Sequence, residues 1–449
     1  MTCNNMKYSN IFKCALPVVA GMLATSCTFE QEDYFDESAS LRIEHTNKEI
    51  QKYLSDAPNG WVIKYFVAGN DDSDFEGFNL FGRFTETGKV TLGSDHRYLR
   101  GGKAGTYTEH TSVYEMLREE SCVLSFSTWN DILTVFVDPV SPSSAPGALI
   151  DDGEGMHGDD RLCMLTYGPD EMSFRGERHD MTRAYFTKLD RDPEQYLLDT
   201  KNFKDKYATS KVYEYSVSSE DTTFYLTGLY SGLFQFVDRL DDPLSSKTVP
   251  CVFTPNGFFL RTPISVNSED KVQEFTLNDD KSGFVCDKYT VRPEWTRSVD
   301  RLLHANRKVI IVTEGSSDAY NAYFNALADG VKNAFASQTL YNITFGNSSE
   351  SASKRRNGIV FTIRDNSDKL VGFTATITVQ GETVTISADP DDPSSNYANY
   401  DKKGIGSLFI DMVKALNGQY QLKPDDVFNP TSIVWTKVND PSFYFVTSL

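Results

Sequence analysis

"WVIKYFVAGNDDSDFEGFNLFGRF", residues 61–84, decides how this chain is built. Two runs rich in aromatic and β-branched residues, WVIKYFV and FNLFGRF, flank the acidic, turn-forming piece NDDSDFEG. Runs of that length and composition are strands, and a short turn-rich link makes two strands antiparallel neighbours. The pattern continues through KVTL, VLSFST, ILTVFV, RLCMLTY, EMSFRGE and RAYFTKL, with no helix of ordinary length among them. A meander of antiparallel strands is expected.

On the N-terminal side, Asp36–Asp56 has the helical period. Ala39, Ile43, Ile50, Leu54 and Ala57 form one apolar stripe, Asp36 is placed to cap the start, and APNG at 57–60 ends it. On the C-terminal side Pro193–Ala208 reads as a helix, and the strands KVYEYSV, VPCVFT, GFFLRTPI, VQEFTL and GFVCD follow. Beyond Arg292 helices are expected over Pro293–His304, Asp318–Phe335 and Gly406–Leu416. Ala319, Ala322, Tyr323, Ala326 and Leu327 share one face of the second. GIVFTIR, LVGFTATITV, ETVTIS, SIVWTKV and SFYFVTS are strands. The expected fold class is α+β and predominantly antiparallel β. A meander or sandwich-like domain with an N-terminal helix covers 36–205, and a mixed α+β domain covers 206–449.

The first 26 residues stand apart. Lys7 and Lys13 precede the apolar stretch Ala15–Thr25, which is too short to span a bilayer and reads as a secretory signal. Small residues Ala24 and Ser26 lead to Cys27, the arrangement of a bacterial lipobox, with Ala24 where leucine is usual. Cys27 is then the lipidation site, and 27–35 is an acidic tether carrying Glu30, Glu32 and Asp33. Several acyl chains on one cysteine anchor a protein strongly. The expected location is the outer membrane, lipid-anchored and facing the cell exterior.

The formal charge is −19, and loss of Lys7 and Lys13 with the signal takes it to −21. A body that acidic is a poor partner for nucleic acid, whose phosphates need clustered Lys and Arg. Cys122, Cys163, Cys251 and Cys286 remain in apolar, strand-like contexts with no zinc spacing. Buried thiols are expected, and an exported compartment allows a Cys251–Cys286 bridge.

Familiar catalytic signatures are missing. HExxH, GxSxG and the P-loop do not occur, and no GxGxxG follows a strand and opens a helix as a dinucleotide fingerprint requires. No cofactor is required by any motif; calcium is the one ion the acidic loops suggest. Asp72, Asp74 and Glu76 alternate as in the first half of an EF-hand loop, but Arg83 occupies the position of its bidentate glutamate. A second acidic loop offers Asp151, Asp152, Asp159 and Asp160 beside His157. A glycosidase needs two facing carboxylates, and among 63 acids the sequence does not single out a pair. Trp129, Trp295 and Trp435 are candidates for a glycan surface, although each sits in an apolar segment where core packing is the first expectation; Trp61 reads as core.

FDESASLRI at 35–43, Asn59-Gly60-Trp61, Gly158-Asp159-Asp160 and MSFRGER at 172–178, behind a lipobox, resemble an uncharacterised lipoprotein family of gut Bacteroidetes, domain of unknown function 4302. The resemblance covers most of the mature chain and transfers no catalytic residue. It implies a non-catalytic binding or accessory role in outer-membrane nutrient uptake, with importers and substrate-binding lipoproteins as partners. An extracellular hydrolase of glycan or peptide with a dispersed carboxylate site, and a structural or adhesive surface protein, are the alternatives.

Overall fold

A computed structural model describes residues 37–449 apart from 69–74, 120, 140–154, 213, 220–222, 238–246, 266–270, 296–297, 299–307, 347–357 and 381. Cys27, Asp36, Asp72, Asp74, Asp151, Asp152 and most of the helix expected at Pro293–His304 lie outside the described residues. The chain is β-dominated and antiparallel throughout, in three consecutive sheets.

The first sheet has nine strands in the order β4-β3-β2-β1-β9-β8-β7-β6-β5. They are β1 Trp61–Phe66, β2 Phe78–Phe84, β3 Lys89–Ser94, β4 Thr108–Val113, β5 Glu115–Arg118, β6 Cys122–Ser125, β7 Arg161–Thr166, β8 Glu171–Gly176 and β9 Arg183–Lys188. The two edge strands, β4 and β5, are separated only by Tyr114. One bent strand thus pairs with β3 through its first half and β6 through its second, which rolls the sheet round onto itself. Trp61, Ile63 and Tyr65 point into the core so enclosed. Val62 and Phe66 point outward, yet both are buried, because other elements cover that face. Burial on both sides explains why WVIKYF lacks a clean polar alternation.

Helix α1, Ala39–Ser55, lies against this sheet through Ile50 and Leu54. Its cap is Ser38, whose hydroxyl accepts from the Leu41 N–H, in place of the expected Asp36. The Trp61 indole N–H donates to the Leu54 carbonyl at 3.1 Å, joining helix end to strand start. Between them Gly60 has φ +80°, and a Cβ there would lie 2.5 Å from the Gly82 carbonyl oxygen. Only glycine meets both conditions.

ILTVFV, expected as a strand, is instead a set of turns containing a 3-10 segment, Thr134–Phe136, with Ile132, Val135 and Phe136 buried inside the rolled sheet. A short apolar run does not distinguish a strand from a buried irregular segment.

Helix α2, Pro193–Tyr207, follows β9; Asp192 caps it and Pro193 occupies its first turn. The second sheet is a closed barrel of β10 Glu214–Ser218, β11 Thr223–Thr227, β12 Leu233–Val237, β13 Lys247–Thr254, β14 Gly257–Ser265, β15 Lys271–Leu277, β16 Phe284–Cys286 and β17 Tyr289–Pro293. Closure is by β10 on β17, with Val217 opposite Val291. Eight strands leave an interior that side chains just fill. Here Phe258 packs on Phe275 at 4.8 Å, Phe234 at 5.1 Å and Phe284 at 5.2 Å.

Cys251 and Cys286 are both buried and free. The bridge allowed by the sequence does not form. β14 and β15 separate their strands, roughly 14 Å along the wall at one strand spacing per step, and a disulfide needs its Cα atoms within about 7 Å.

The third sheet is a second closed barrel: β18 Lys308–Val312, β19 Thr339–Gly346, β20 Gly358–Arg364, β21 Asp368–Gln380, β22 Thr383–Pro393, β23 Gly418–Pro424, β24 Ser432–Lys437 and β25 Tyr444–Ser448. Helix α3, Asp318–Ala334, joins β18 to β19, while α4, Tyr397–Asp401, and α5, Gly406–Leu416, join β22 to β23. The buried face of α3 is Tyr320, Leu327 and Val331, flanked by Phe324 and Ala328; Ala322, Tyr323 and Ala326 of the expected stripe face solvent. The stretch 206–449 therefore holds two barrels, and helices α3 to α5 all belong to the second.

The barrels share one core. The β23–β24 loop of the second places Phe428 against Tyr207 at 5.1 Å and Phe284 at 5.3 Å, at the mouth of the first. The Thr209 hydroxyl, Lys211 ammonium and Trp295 indole donate to the carbonyls of Phe428, Pro430 and Val427 of that loop.

Candidate ligand cleft

Both barrels are packed with side chains, and the spaces among the described residues lie outside them: one of about 470 Å³ beside α3 and α4 of the second barrel, lined by Phe335, Gln338, Lys369 and Tyr400, and two on helix α2. A cleft of about 680 Å³ lies where the outer face of β1 and β9, helix α2 and the rim of the first barrel meet. Helix α2 is the wedge. Its N-terminal half packs Tyr196 on Phe81 of the first sheet at 5.5 Å. Its C-terminal half sends Phe203 and Tyr207 into the barrel core.

The walls are pinned. The Asn79 amide donates to the Phe253 carbonyl at 2.9 Å, the Gly77 N–H to Cys251 at 2.9 Å, and the Tyr185 hydroxyl to Arg261 at 2.8 Å. Phe66 packs with Val252 and Phe259 between sheet and barrel. A Cβ on Gly77 would fall 2.4 Å from the Phe66 ring, so glycine allows this close approach.

Lys64 stands in the inner wall. It is 5% exposed. Its ammonium donates to the Thr187 hydroxyl at 3.2 Å and sits 4.6 Å from the centre of the Phe259 ring. No carboxylate among the described residues comes within ion-pair distance of it. Burial pushes its proton affinity down, with Glu274 and Glu171 opposing from farther away. At the mouth, Arg191 is held by Asp190 and Asp199 at 2.8 and 2.9 Å. Lys206 and Lys281 line the cleft without an acid in ion-pair contact among the described residues. Asn202, Thr254 and Asn256 supply neutral hydrogen-bonding groups. Sequence reasoning passed over Lys64. Its trace was there: one charge in an apolar strand, WVIKYF.

A smaller space of about 280 Å³ opens on another side of α2, lined by Glu76, Asp95, His96, Arg97 and Lys204. Burial raises the carboxyls of both Glu76 and Asp95, although Arg97, 3.0 Å from Glu76, pulls the other way there.

The residues read as calcium ligands have other partners where they are described. Glu76 pairs with Arg97, and Arg83, at the failed twelfth position, pairs with Glu109 at 2.7 Å. Asp159 is buried and faces inward. Its carboxylate accepts from the backbone N–H groups of Arg161 at 3.1 Å, Arg178 at 2.6 Å and His179 at 3.1 Å. The Tyr65 hydroxyl bridges its own N–H and C=O. The quoted motifs GDD and MSFRGER thus interlock as structure. The Asp160 carbonyl accepts from Phe126, and burial raises its carboxyl. Among the described residues no group of three or more His, Cys, Asp or Glu side chains is placed to hold a metal. Trp61, Trp295 and Trp435 are buried; Trp129 is 50% exposed, its N–H on Asp131 and its ring 5.8 Å from the Arg100 guanidinium. No described helix is long and apolar enough to cross a membrane.

Residues 31–279 match the family described as a domain of unknown function, DUF4302. The match holds the first sheet, α2 and the barrel through β15, and so includes both walls of the cleft. No curated protein matches the chain. Among solved structures, DNA polymerase III subunit beta from Borrelia burgdorferi, in complex with a natural product, is 8% identical over 91% of this chain and 97% of its own, with a TM-score of 0.11. A score that low carries no argument.

Proposed function

The chain belongs to the DUF4302 family, and from that premise we propose that it is a binding protein of a Bacteroidetes outer surface, anchored through acylated Cys27, that captures a ligand in the cleft between the first sheet and the first barrel. It would serve as a non-catalytic or accessory part of a nutrient-uptake system, beside an importer and substrate-binding lipoproteins. The observation that supports this most is the cleft itself: about 680 Å³, within the range of small-molecule sites, at a junction of units where such sites favour forming. Cys27→Ala is expected to move the protein from the membrane to the soluble fraction; unchanged fractionation would remove the anchor.

The binding test is a thermal-shift panel of neutral and acidic oligosaccharides, peptides and calcium. A ligand of the folded state adds about 2.7 kcal/mol at a hundredfold excess over Kd. One class is expected to raise the melting temperature, and Asn202→Trp, which fills the cleft from an exposed position on α2, is expected to abolish that rise. A rise that survives Asn202→Trp would place binding elsewhere. The second reading is a hydrolase, favoured by the raised carboxyls of Glu76 and Asp95 in the smaller space. Release of products from a polymer by the pure protein, lost in Glu76→Gln or Asp95→Asn, would establish it over the first.

A further inference from the structure

We infer that the cleft is built for a ligand bearing carboxylates, in the form of a short uronate-type oligosaccharide, with Lys64 as its anion anchor. The inference rests on the cleft being the binding site. Three observations carry it. First, the Lys64 ammonium is buried with a hydroxyl and an aromatic ring as its direct contacts, and Glu274 and Glu171 act on it only from beyond ion-pair distance. A buried charge with no carboxylate in contact is costly, and a wall made only for packing would be better served by an apolar side chain of the same length. Second, the cleft reverses the charge of the chain. The whole sequence is −19, whereas the cleft lining holds more cations than carboxylates. Arg191 between two aspartates leaves one carboxylate in excess and Glu274 adds another, while Lys188 is held by Asp170 outside the cleft, so Lys64, Lys206 and Lys281 are what make the lining net positive. Third, the remaining polar groups of the lining include the amides of Asn202 and Asn256 and the hydroxyls of Thr187 and Thr254. Neutral donors and acceptors around one cation suit a sugar acid, with its carboxylate on the ammonium and its hydroxyls on the amides.

The test is calorimetric titration of the whole protein with trigalacturonate, galactotriose and triglutamate. Trigalacturonate is expected to bind at least about tenfold more tightly than galactotriose at low salt, with the gap closing as salt is added. Lys64→Met is expected to erase the gap by weakening trigalacturonate about tenfold more than it weakens galactotriose. It should melt no lower than the parent, because it removes a desolvated charge; a purely structural lysine would lower the melting point and leave the preference alone. Equal binding of the two sugars by the parent overturns the anion inference and leaves the cleft reading intact. Tighter binding of triglutamate overturns the choice of a sugar acid. Binding of none of the three, with no shift in the wider panel, overturns both readings. Should Lys64→Met not fold, the Lys206→Gln, Lys281→Gln double variant must reduce the acidic preference and its salt dependence, and an unaltered preference there overturns the charge argument.

Discussion

Phe428→Ala is expected to lower the stability of the protein by about 3–5 kcal/mol, the range for truncating a buried phenylalanine where the surroundings cannot collapse. The side chain is 2% exposed and stands between the two barrels, with the rings of Tyr207 and Phe284 at 5.1 and 5.3 Å. Its loop is rigid for local reasons. The Asp425 carboxylate accepts from the N–H groups of Asp426, Thr431 and Ser432, and Asp426 from those of Phe428 and Asn429. A loop fixed in that way does not follow a shrunken side chain into the hole, so the cavity persists. The missing ring also opens the end of the first barrel, where Phe284 continues into the stacked interior. Urea unfolding followed by tryptophan emission measures the effect, since the Trp295 indole N–H is bonded to Val427 of the same loop. A loss below about 1 kcal/mol would show that the barrels are held together elsewhere and that Phe428 only rests on the rim.

How far the sequence discloses such features depends on whether they are local. The strands around Phe174, Phe186 and Trp435 alternate, those around Trp61 and Ile359 are continuous apolar runs, and all five are where the residue pattern places them. Helices over 193–207 and 318–334 carry caps at Asp192 and Ser317 that the eye can find. β4 and β5, TEHTSV and EMLR, escaped because they form the seam of the rolled sheet and bury little on either face. ILTVFV misled for the opposite reason, being apolar but wound into turns. The division of the last 240 or so residues into two barrels depends on which strand closes on which, Tyr215 on Pro293 and Ile311 on Thr447. No periodicity encodes such long-range pairing. The site shows the same split. Lys64 was visible as a misplaced charge, but the cleft it lines is made by three elements distant in sequence. The acidic loop at Asp159 suggested a cation by composition, while its carboxylate is folded onto backbone N–H groups that composition does not reveal.

Acid is expected to destabilise the protein by about 3 kcal/mol through His96 alone between pH 7 and pH 3. His96 is 7% exposed and packed against Phe78 and Phe136. Its Nε2 meets the Ile132 carbonyl at 3.0 Å, which makes that nitrogen the donor. Its Nδ1 is buried with no hydrogen-bond partner. A second proton would go to Nδ1 and create a charge with nothing to accept from it, so burial pushes the imidazole down to about 4. In the unfolded chain the same group titrates near 6.5. The folded state therefore binds fewer protons across that interval. The contribution of His96 is fully present above about pH 6.5 and is lost as pH falls through the folded value near 4. Each unit of difference is worth about 1.4 kcal/mol, which gives the figure above. Glu76 and Asp95, in the same small space, act in the other sense: burial raises both, so they take up protons earlier when folded and recover stability on acidification. His96→Gln separates the two effects, because glutamine keeps a donor for Ile132 and does not titrate. The stability of the parent relative to this variant, from urea midpoints at a series of pH values, is expected to fall by about 3 kcal/mol from pH 7 to pH 3. Parallel curves for the two proteins would mean that water reaches Nδ1 in the folded state. The space beside α2 would then be open enough to hydrate a charge, and the same opening would hydrate Glu76 and Asp95 and remove the burial that favours the hydrolase reading.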